Sequence, residues 1–172
     1  MATPDDCADE IFMPGGRLCP ERITPPAMVA LSESIRLARE TRWESVRSPH
    51  VFMGLLSQPD ASVRLWGERL QTDLPWLLRQ FQNLFHQEDC EEEPVLSLNR
   101  EFLSDNVIRL LREAMHRAME NGRTKITPMD LLISMLTSSR SIVAECFERL
   151  GITAAKLTEQ AVIAEYAKRE KE

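Results

Sequence analysis

Apolar residues recur along this chain at the three- and four-residue spacing of one helical face, and this spacing occurs in both halves. Side chains at such a spacing form a stripe that packs against other helices. The two stripes are Ala27, Ala30, Leu31, Ser34 and Ala38, and Val107, Leu110, Leu111, Ala114 and Ala118. The alternation of Val, Ile and Thr that is typical of half-buried strands is nearly absent. The pattern therefore predicts an all-α protein.

A shift of 80 residues aligns the two halves without a gap, bringing residues 23–80 onto residues 103–160. Eleven of these 58 aligned pairs are identical, and the apolar phase is kept. The repeat is too long for one solenoid unit, and two copies are fewer than a solenoid usually needs. We therefore predict two four-helix units that are related by a pseudo-twofold axis and form one eight-helix domain.

Helix starts are predicted where a hydroxyl or carboxylate side chain can satisfy the free amides of a first turn. Each unit has four of them: Thr24, Ser48, Asp60 and Asp73 in the first, and Ser104, Thr127, Ser139 and Thr153 in the second. Gly122 and Gly151 are typical left-handed helix stops. The first unit has Arg42 and Gln71 at the equivalent positions, so its stop signals are weaker.

Segments of different composition flank the predicted units. Residues 1–22 contain several prolines and a Gly-Gly pair, and we expect a flexible N-terminal arm. The alternative is that the apolar triplet at residues 11–13 docks into the domain's own groove. The first unit is expected at residues 23–87, a solvated acidic linker at residues 88–98, and the second unit with a C-terminal helix at residues 99–172.

Charge and composition narrow the classes of partner. The net charge is -6 and the isoelectric point is about 5.2, so the chain as a whole repels phosphate backbones and anionic lipids. We expect neither a nucleic-acid nor a membrane partner, and the apolar runs are too short to span a bilayer. The acidic start lacks the features of a secretory signal, which predicts a cytoplasmic location. The four cysteines form no CxxC pair, so reduced thiols are expected.

Sequence motifs for catalysis are missing from the chain. The Gly15-Gly16 pair is followed by Arg17 and is not part of a phosphate-binding loop. His86 and Cys90 are two potential zinc ligands with no second pair nearby, so no metal site is expected. Sequence spacing predicts no nucleophile–base arrangement. We therefore expect no enzyme and no cofactor, and a small hydrolase or metal enzyme on a helical bundle is the least favoured alternative.

Several segments carry a resemblance to a known repeat. The first unit opens its first two helices with Ile23-Thr24-Pro25 and Val46-Arg47-Ser48-Pro49-His50-Val51-Phe52. The second unit opens them with Leu103-Ser104 and Ile126-Thr127-Pro128-Met129-Asp130-Leu131-Leu132, and ends its third helix with Cys146-Phe147-Glu148-Arg149-Leu150-Gly151-Ile152. These segments resemble the Clp N repeat, two copies of which form the N-terminal domains of Clp/Hsp100 unfoldases. No ATPase module accompanies them here.

The resemblance covers residues 23–164 and has functional implications. In that family the N-terminal domain sits above a ring ATPase, binds clients or adaptors, and does no chemistry itself. The resemblance implies a non-catalytic protein-binding module of the chaperone–protease system, which recognises client segments or adaptors for an AAA+ unfoldase. The alternative is a free-standing structural accessory that binds Clp ATPase or peptidase subunits and regulates their ring.

Some family members bind phosphorylated arginine through a hydroxyl that opens the first helix and a glutamate that opens the second. The hydroxyls remain as Thr24 and Ser104, where they also suffice as helix caps, but the glutamate positions hold Pro49 and Met129. We therefore expect no phosphoarginine site, because the carboxylates that would accept the guanidinium are replaced. An apolar groove would instead suit a helix or an extended hydrophobic segment.

The histidine of the family motif falls at His50, which we expect to be buried and hydrogen-bonded, and Asp130 stands at the equivalent position of the second unit. The predicted partner-binding residues are Thr24, Pro49, His50, Ser104, Met129 and Asp130.

Overall fold

The computed structural model describes residues 11–87, 95–138 and 141–170, with side chains as far as residue 167. These residues contain eight α-helices and no extended strand, which confirms the predicted all-α class. The helices are α1 (Pro25–Glu40), α2 (Ser48–Ser57), α3 (Ala61–Arg69), α4 (Leu74–Phe85), α5 (Asp105–Glu120), α6 (Pro128–Thr137), α7 (Ile142–Arg149) and α8 (Ala154–Glu170). No helix in the described ranges is long and apolar enough to cross a membrane.

The two predicted units correspond in their first two helices and in the turns that follow their first and third helices. α1 and α5 begin 80 residues apart and have the same length, as do α2 and α6. The turns after the first helices pass through the left-handed region at Arg42 (φ 68°) and Gly122 (φ 74°). The turns after the third helices do so at Gln71 (φ 55°) and Gly151 (φ 86°). Repeat 1 thus makes both turns with side chains that disfavour them, at about 1–2 kcal/mol each.

Most predicted helix starts are in place. The side chains of Thr24, Ser104 and Thr127 accept hydrogen bonds from the amides of the first turns of α1, α5 and α6. The N-cap of α2 is Arg47, one residue before the predicted start. Ser139 lies outside the described residues, and α7 is capped two residues later by Ser141, whose hydroxyl accepts from Ala144 N at 3.0 Å.

The repeats meet along a short two-sided seam. Ile23, before α1, pairs in parallel with Ile126, before α6, and Leu103 pairs in the same way with Val46. Position 103 is equivalent to 23 and position 126 to 46, so the two pairings are the same contact formed once in each direction between the repeats. The amide of residue 24 donates to Ile126 O at 3.0 Å, and that of residue 104 donates to Val46 O at 2.9 Å. This exchange is the signature of the predicted pseudo-twofold axis.

One hydrophobic core extends through both repeats. α2 and α6 lie at its centre, and nearly all of their residues are buried. Phe52, Trp66, Phe81 and Phe147 form an aromatic cluster, with Phe52 4.8 Å from Phe81 and 5.8 Å from Phe147 between ring centroids. Trp66 Nε1 donates to Leu157 O at 3.1 Å and ties α3 to α8. Because this cluster draws on both repeats, neither repeat has a separate core.

The first residues described differ from the expected flexible arm. Ile11 and Leu18 are buried in the core cluster. Gly15 and Gly16 turn the chain with positive φ, and Gly16 O accepts from Arg100 N at 2.7 Å. Within residues 11–22 the expectation of a flexible arm is therefore wrong, because buried apolar side chains and backbone pairing hold the segment in place. Of the apolar triplet, Ile11 and Phe12 are buried and Met13 is exposed. Residues 1–10, and most of the predicted acidic linker, lie outside the described residues.

Candidate partner-binding site

The six predicted site residues divide into two groups by burial. Thr24 and Ser104 are partly exposed at the seam, where Thr24 Oγ1 also donates to Ile126 O at 2.9 Å. The other four residues are buried: Pro49, His50, Met129 and Asp130. In this conformation Thr24 and Ser104 can contact a partner directly. The four buried residues can affect binding only indirectly, through the shape and electrostatics of the surface above them. Partner binding by these positions stays a prediction.

His50 is held as a neutral ring at the start of α2. Its Nδ1 accepts from Arg47 N at 2.9 Å, so we assign the ring proton to Nε2, which donates to Thr41 Oγ1 at 3.2 Å. The Thr41 hydroxyl in turn donates to Leu37 O at 2.7 Å. Burial, and secondly the Arg47 guanidinium, lower the pKa of His50 to about 4. The ring is therefore uncharged at neutral pH and serves as a cap within the core.

The Trp43 indole packs beside His50. The Trp43 ring lies edge-on to it at 5.6 Å between centroids, and the Arg47 guanidinium lies 4.8 Å from the centre of the Trp43 ring. Trp43 Nε1 donates to Phe85 O at the end of α4. The indole thus ties the turn after α1 to the end of α4, next to the neutral ring of His50.

Asp130 takes the place of His50 in repeat 2, but it carries a charge. Its Oδ2 accepts from Thr127 N at 2.9 Å, just as His50 Nδ1 accepts from Arg47 N. Its Oδ1 accepts from Arg117 Nη1 at 2.7 Å and from Arg123 Nη2 at 2.8 Å. Arg117 also donates to both carboxylate oxygens of Glu165, at 2.9 and 3.0 Å. We call Arg117, Arg123, Asp130 and Glu165 the ionic cluster.

The ionic cluster balances its own charges. Burial opposes the ionisation of Asp130, but hydrogen bonds from Arg123, from the Thr127 amide and from Arg117 outweigh it and lower the pKa. Burial likewise opposes the charge of Arg117, and the hydrogen bonds to Glu165 and Asp130 outweigh it and raise its pKa. Two cations face two anions, so the cluster can stay buried without a counterion from outside.

Sequence reasoning missed this cluster, although one signal pointed to it. The positions equivalent to its four members in repeat 1 are Leu37, Trp43, His50 and Phe85. Arg117 thus falls at an apolar position of the helical stripe, and a charged residue on the buried face requires a buried partner. The positions of Asp130 and Glu165 relative to that residue could not be read from spacing, since they lie on two other helices.

Two adjoining surface pockets lie along α5 and α6, and we treat them as the two ends of one groove. Its seam end is lined by Ser48, Asn106 and Arg109. Its outer end is lined by two carboxylates with a histidine between them, together with residues of α6. Residues lining this outer end include Glu113, His116, Glu120, Ile133, Ser134 and Thr137. We call the whole surface the α5–α6 groove, and both ends share Arg109 and Glu113.

The α1–α2 surface of repeat 1 is packed differently. Gly54 faces α1 so closely that a Cβ there would lie 2.2 Å from Ala30 O and 3.1 Å from Ser34 N. The equivalent residue of repeat 2 is Ser134, whose side chain is accommodated and buried. Because a Cβ cannot occupy so short a distance, α5 and α6 must lie further apart at this level than α1 and α2. The extra separation opens the α5–α6 groove.

Metal and thiol chemistry receive no support from the side chains described. Within residues 11–87, 95–138 and 141–167, no group of three or more His, Cys, Asp or Glu side chains is placed to hold one metal ion. Burial raises the pKa of the Cys146 thiol and favours its unreactive, protonated form. Cys90, and with it the pairing of His86 and Cys90, lies outside the described residues.

The fold is that of a known class of domain. Among solved structures, the N-terminal domain of the Clp protease-associated chaperone ClpD from Arabidopsis thaliana matches with a TM-score of 0.64 and 18% identity, over 83% of this chain and 94% of that one. The N-terminal domain of Hsp104 from Candida albicans matches with a TM-score of 0.67 and 13% identity, over 83% and 90%. A ClpV N-domain in complex with a VipB peptide matches with a TM-score of 0.60 and 19% identity, over 84% and 88%.

These matches define the class to which the architecture belongs. The chain has the fold of the N-terminal domains of Clp/Hsp100 ATPases, and the resemblance seen in the sequence is confirmed at that level. No protein-family model matches the chain, and no curated protein matches it. At 13–19% identity the structural neighbours speak for the fold alone. What the groove binds must be argued from its own residues.

Proposed function

We propose that this chain is a non-catalytic protein-binding module of the Clp/Hsp100 system, which recognises segments of client or adaptor proteins for an AAA+ unfoldase in the cytoplasm. One observation carries the proposal: the α5–α6 groove is an elongated, mixed-polarity surface on a fold that its structural neighbours use as an N-terminal domain. Grooves between helices suit a helical or extended peptide. One structural neighbour, a ClpV N-domain, is in complex with a peptide.

The absence of a catalytic role is supported by what the buried ionisable groups do. His50 and Asp130, two buried groups with lowered pKa values, cap helices and are hydrogen-bonded to neighbouring backbone amides and side chains. Neither is available to exchange a proton with a substrate at the surface. Thr24 and Ser104 are proposed to border the bound segment, and the buried Pro49, His50, Met129 and Asp130 to shape the seam behind it.

The proposal is tested with peptides selected by the intact chain from a random 12-residue phage library and then resynthesised for calorimetry. Ser138→Trp places a large ring at a position that lines both ends of the groove. Gln58→Trp is the matched control, because Gln58 is the equivalent residue after α2 in repeat 1. The proposal expects Gln58→Trp to bind like the wild type and Ser138→Trp to lose at least about tenfold in affinity, or 1.4 kcal/mol.

Circular dichroism verifies that both variants are folded. Failure to select any peptide would contradict the proposal, and binding of purified Clp ATPase or peptidase rings instead would favour the accessory role. Equal binding by the two tryptophan variants would show that peptides bind away from the groove.

A further inference from the structure

The outer end of the α5–α6 groove has a filled counterpart in repeat 1. There, Arg36 lies on the exposed face of α1 and spans two glutamates. Its Nε and Nη2 donate to Glu33 Oε2 at 3.0 and 2.6 Å, and its Nη1 donates to Glu40 Oε1 at 2.7 Å. Ser57, at the end of α2, completes the site: its hydroxyl donates to Glu33 Oε2 at 2.9 Å. We call this arrangement the arginine site of repeat 1.

The two carboxylate acceptors of that site are kept in repeat 2. Glu113 and Glu120 are identical to Glu33 and Glu40 at the 80-residue shift, and Thr137 keeps a hydroxyl at the position of Ser57, although this hydroxyl donates to Ile133 O at 2.8 Å. All three line the α5–α6 groove. Since two glutamates at this spacing on α1 hold a guanidinium in repeat 1, the same two groups at the same spacing on α5 can accept one as well.

The arginine itself is not kept. Position 116 holds a histidine in place of Arg36, and its side chain is 76% exposed, with Nε2 3.3 Å from Glu120 Oε1. An imidazole is shorter than a guanidinium-bearing chain and lacks the fork of donors that spans two carboxylates. The wider separation of α5 and α6 at Ser134 leaves the groove open beside it. Repeat 2 therefore offers the acceptors and the space without an internal cation like Arg36.

We propose that the outer end of the α5–α6 groove binds the unmodified guanidinium of an arginine in the partner segment, with Glu113 and Glu120 as acceptors and the Thr137 hydroxyl beside them. This inference rests on the proposed function, since it names the side chain by which a bound segment is recognised. Of the two other cations that line the groove, Arg117 is engaged by Asp130 and Glu165, and Arg109 lies one turn before Glu113, towards the seam.

The test is a double-mutant cycle on the selected peptides. Each peptide is resynthesised with its arginine replaced by citrulline, which has almost the same shape but no charge. Binding is measured to the wild-type chain and to Glu113→Gln/Glu120→Gln. A partly exposed, charge-assisted contact predicts that citrulline lowers wild-type affinity about five- to tenfold and has almost no further effect in the double variant.

Two further variants guard against indirect effects. Glu159→Gln removes one exposed carboxylate from α8, away from the groove, and should bind both peptides like the wild type. His116→Arg restores the internal cation of repeat 1, so it should weaken the arginine peptide as much as Glu113→Gln/Glu120→Gln does and leave the citrulline peptide unchanged.

The results separate the two proposals. Selected peptides that lack arginine, or equal losses on citrulline substitution with and without Glu113 and Glu120, would overturn the arginine site while peptide binding itself stands. Failure of every peptide to bind the wild-type chain would overturn the proposed function and the arginine site together.

Discussion

The two repeats build the same turn before their second helix with opposite chemistry. In repeat 1 the neutral ring of His50 accepts from the Arg47 amide and is packed against Trp43. In repeat 2 the carboxylate of Asp130 accepts from the Thr127 amide and is bound by two arginines. The comparison shows that the backbone requires an acceptor at this position and does not specify its charge.

The surroundings follow from that one choice of acceptor. A buried carboxylate needs cations, so positions that hold Leu37 and Trp43 in repeat 1 hold Arg117 and Arg123 in repeat 2. The second arginine charge is balanced by Glu165 on α8, at the position of Phe85. Around this turn, repeat 1 is thus stabilised by apolar contact and repeat 2 by a closed set of charges.

The largest expected effect comes from breaking the charged side of this comparison. Asp130→Ala leaves two partly buried arginines facing only Glu165, and we expect the free energy of unfolding to fall by about 3–5 kcal/mol. The same change in repeat 1, His50→Ala, leaves polar groups but no charge unpaired, and we expect a loss of about 1–3 kcal/mol. Urea unfolding of both variants measures the difference. A loss for His50→Ala as large as that for Asp130→Ala would refute the contrast.

A comparable effect is expected at the close approach of α1 and α2. Gly54→Ala inserts a methyl group against Ala30 O, and because backbone is less able to yield than a side chain, we expect a loss of up to about 3 kcal/mol. Ser134→Ala, the matched change in repeat 2, removes one hydroxyl where space already exists and should cost less than about 1 kcal/mol. Thermal and urea unfolding test the pair. An unchanged free energy of unfolding for Gly54→Ala would mean that α1 and α2 can move apart to the separation that α5 and α6 have.

The smallest of the three effects concerns pH. His50 has a pKa of about 4 when folded, below the value near 6.5 of an unfolded histidine. Folding favours the neutral form of this ring. Its contribution to the free energy of unfolding is therefore fully present above pH 6.5 and is lost as the pH falls towards 4. Between pH 7 and pH 5 this amounts to about 2 kcal/mol. The lowered pKa of Asp130 acts in a separate window, because its contribution is present above the ordinary carboxyl range and is lost only below it.

Urea unfolding of the wild type and of His50→Gln at pH 7, 6 and 5 measures the histidine effect. The variant lacks the titrating ring but keeps an acceptor, so its stability should change much less over this range, while every other ionisable group is common to both proteins. Parallel pH profiles for the two proteins would rule out His50 as the source.

Much of the fold could be predicted from the sequence because its determinants are local or periodic. The helical stripe gave the all-α class, and the 80-residue shift gave the pairing of α1 with α5 and of α2 with α6. The turns at Arg42 and Gln71 formed despite a weak local signal, because the following helix must return to the core in both repeats. The prediction for the N-terminal segment was wrong because Ile11 is buried by residues that are distant in the sequence, and no local pattern indicates such contacts.

The candidate site was less predictable. Thr24 and Ser104 could be placed as caps from their local sequence, whereas the burial of Pro49 and Met129 depends on how α2 and α6 sit at the centre of the core. The glutamates of the α5–α6 groove could be seen as identical pairs, yet nothing in the alignment tells whether an identical surface pair holds an internal arginine or faces an open groove. That distinction depends on the spacing between two helices.

The sequence by itself therefore determined that this protein is a duplicated helical domain with its helix boundaries at set positions, since hydrophobic period and capping act over a few residues. Tertiary structure decided where the duplication stops being symmetric. Gly54 lets one helix pair close and Ser134 holds the other apart, while Asp130 is surrounded by charges from α5, from the turn after α5 and from α8 that His50 does not require. Both differences come from single side chains, but their consequences depend on distances between helices, which a linear pattern does not contain.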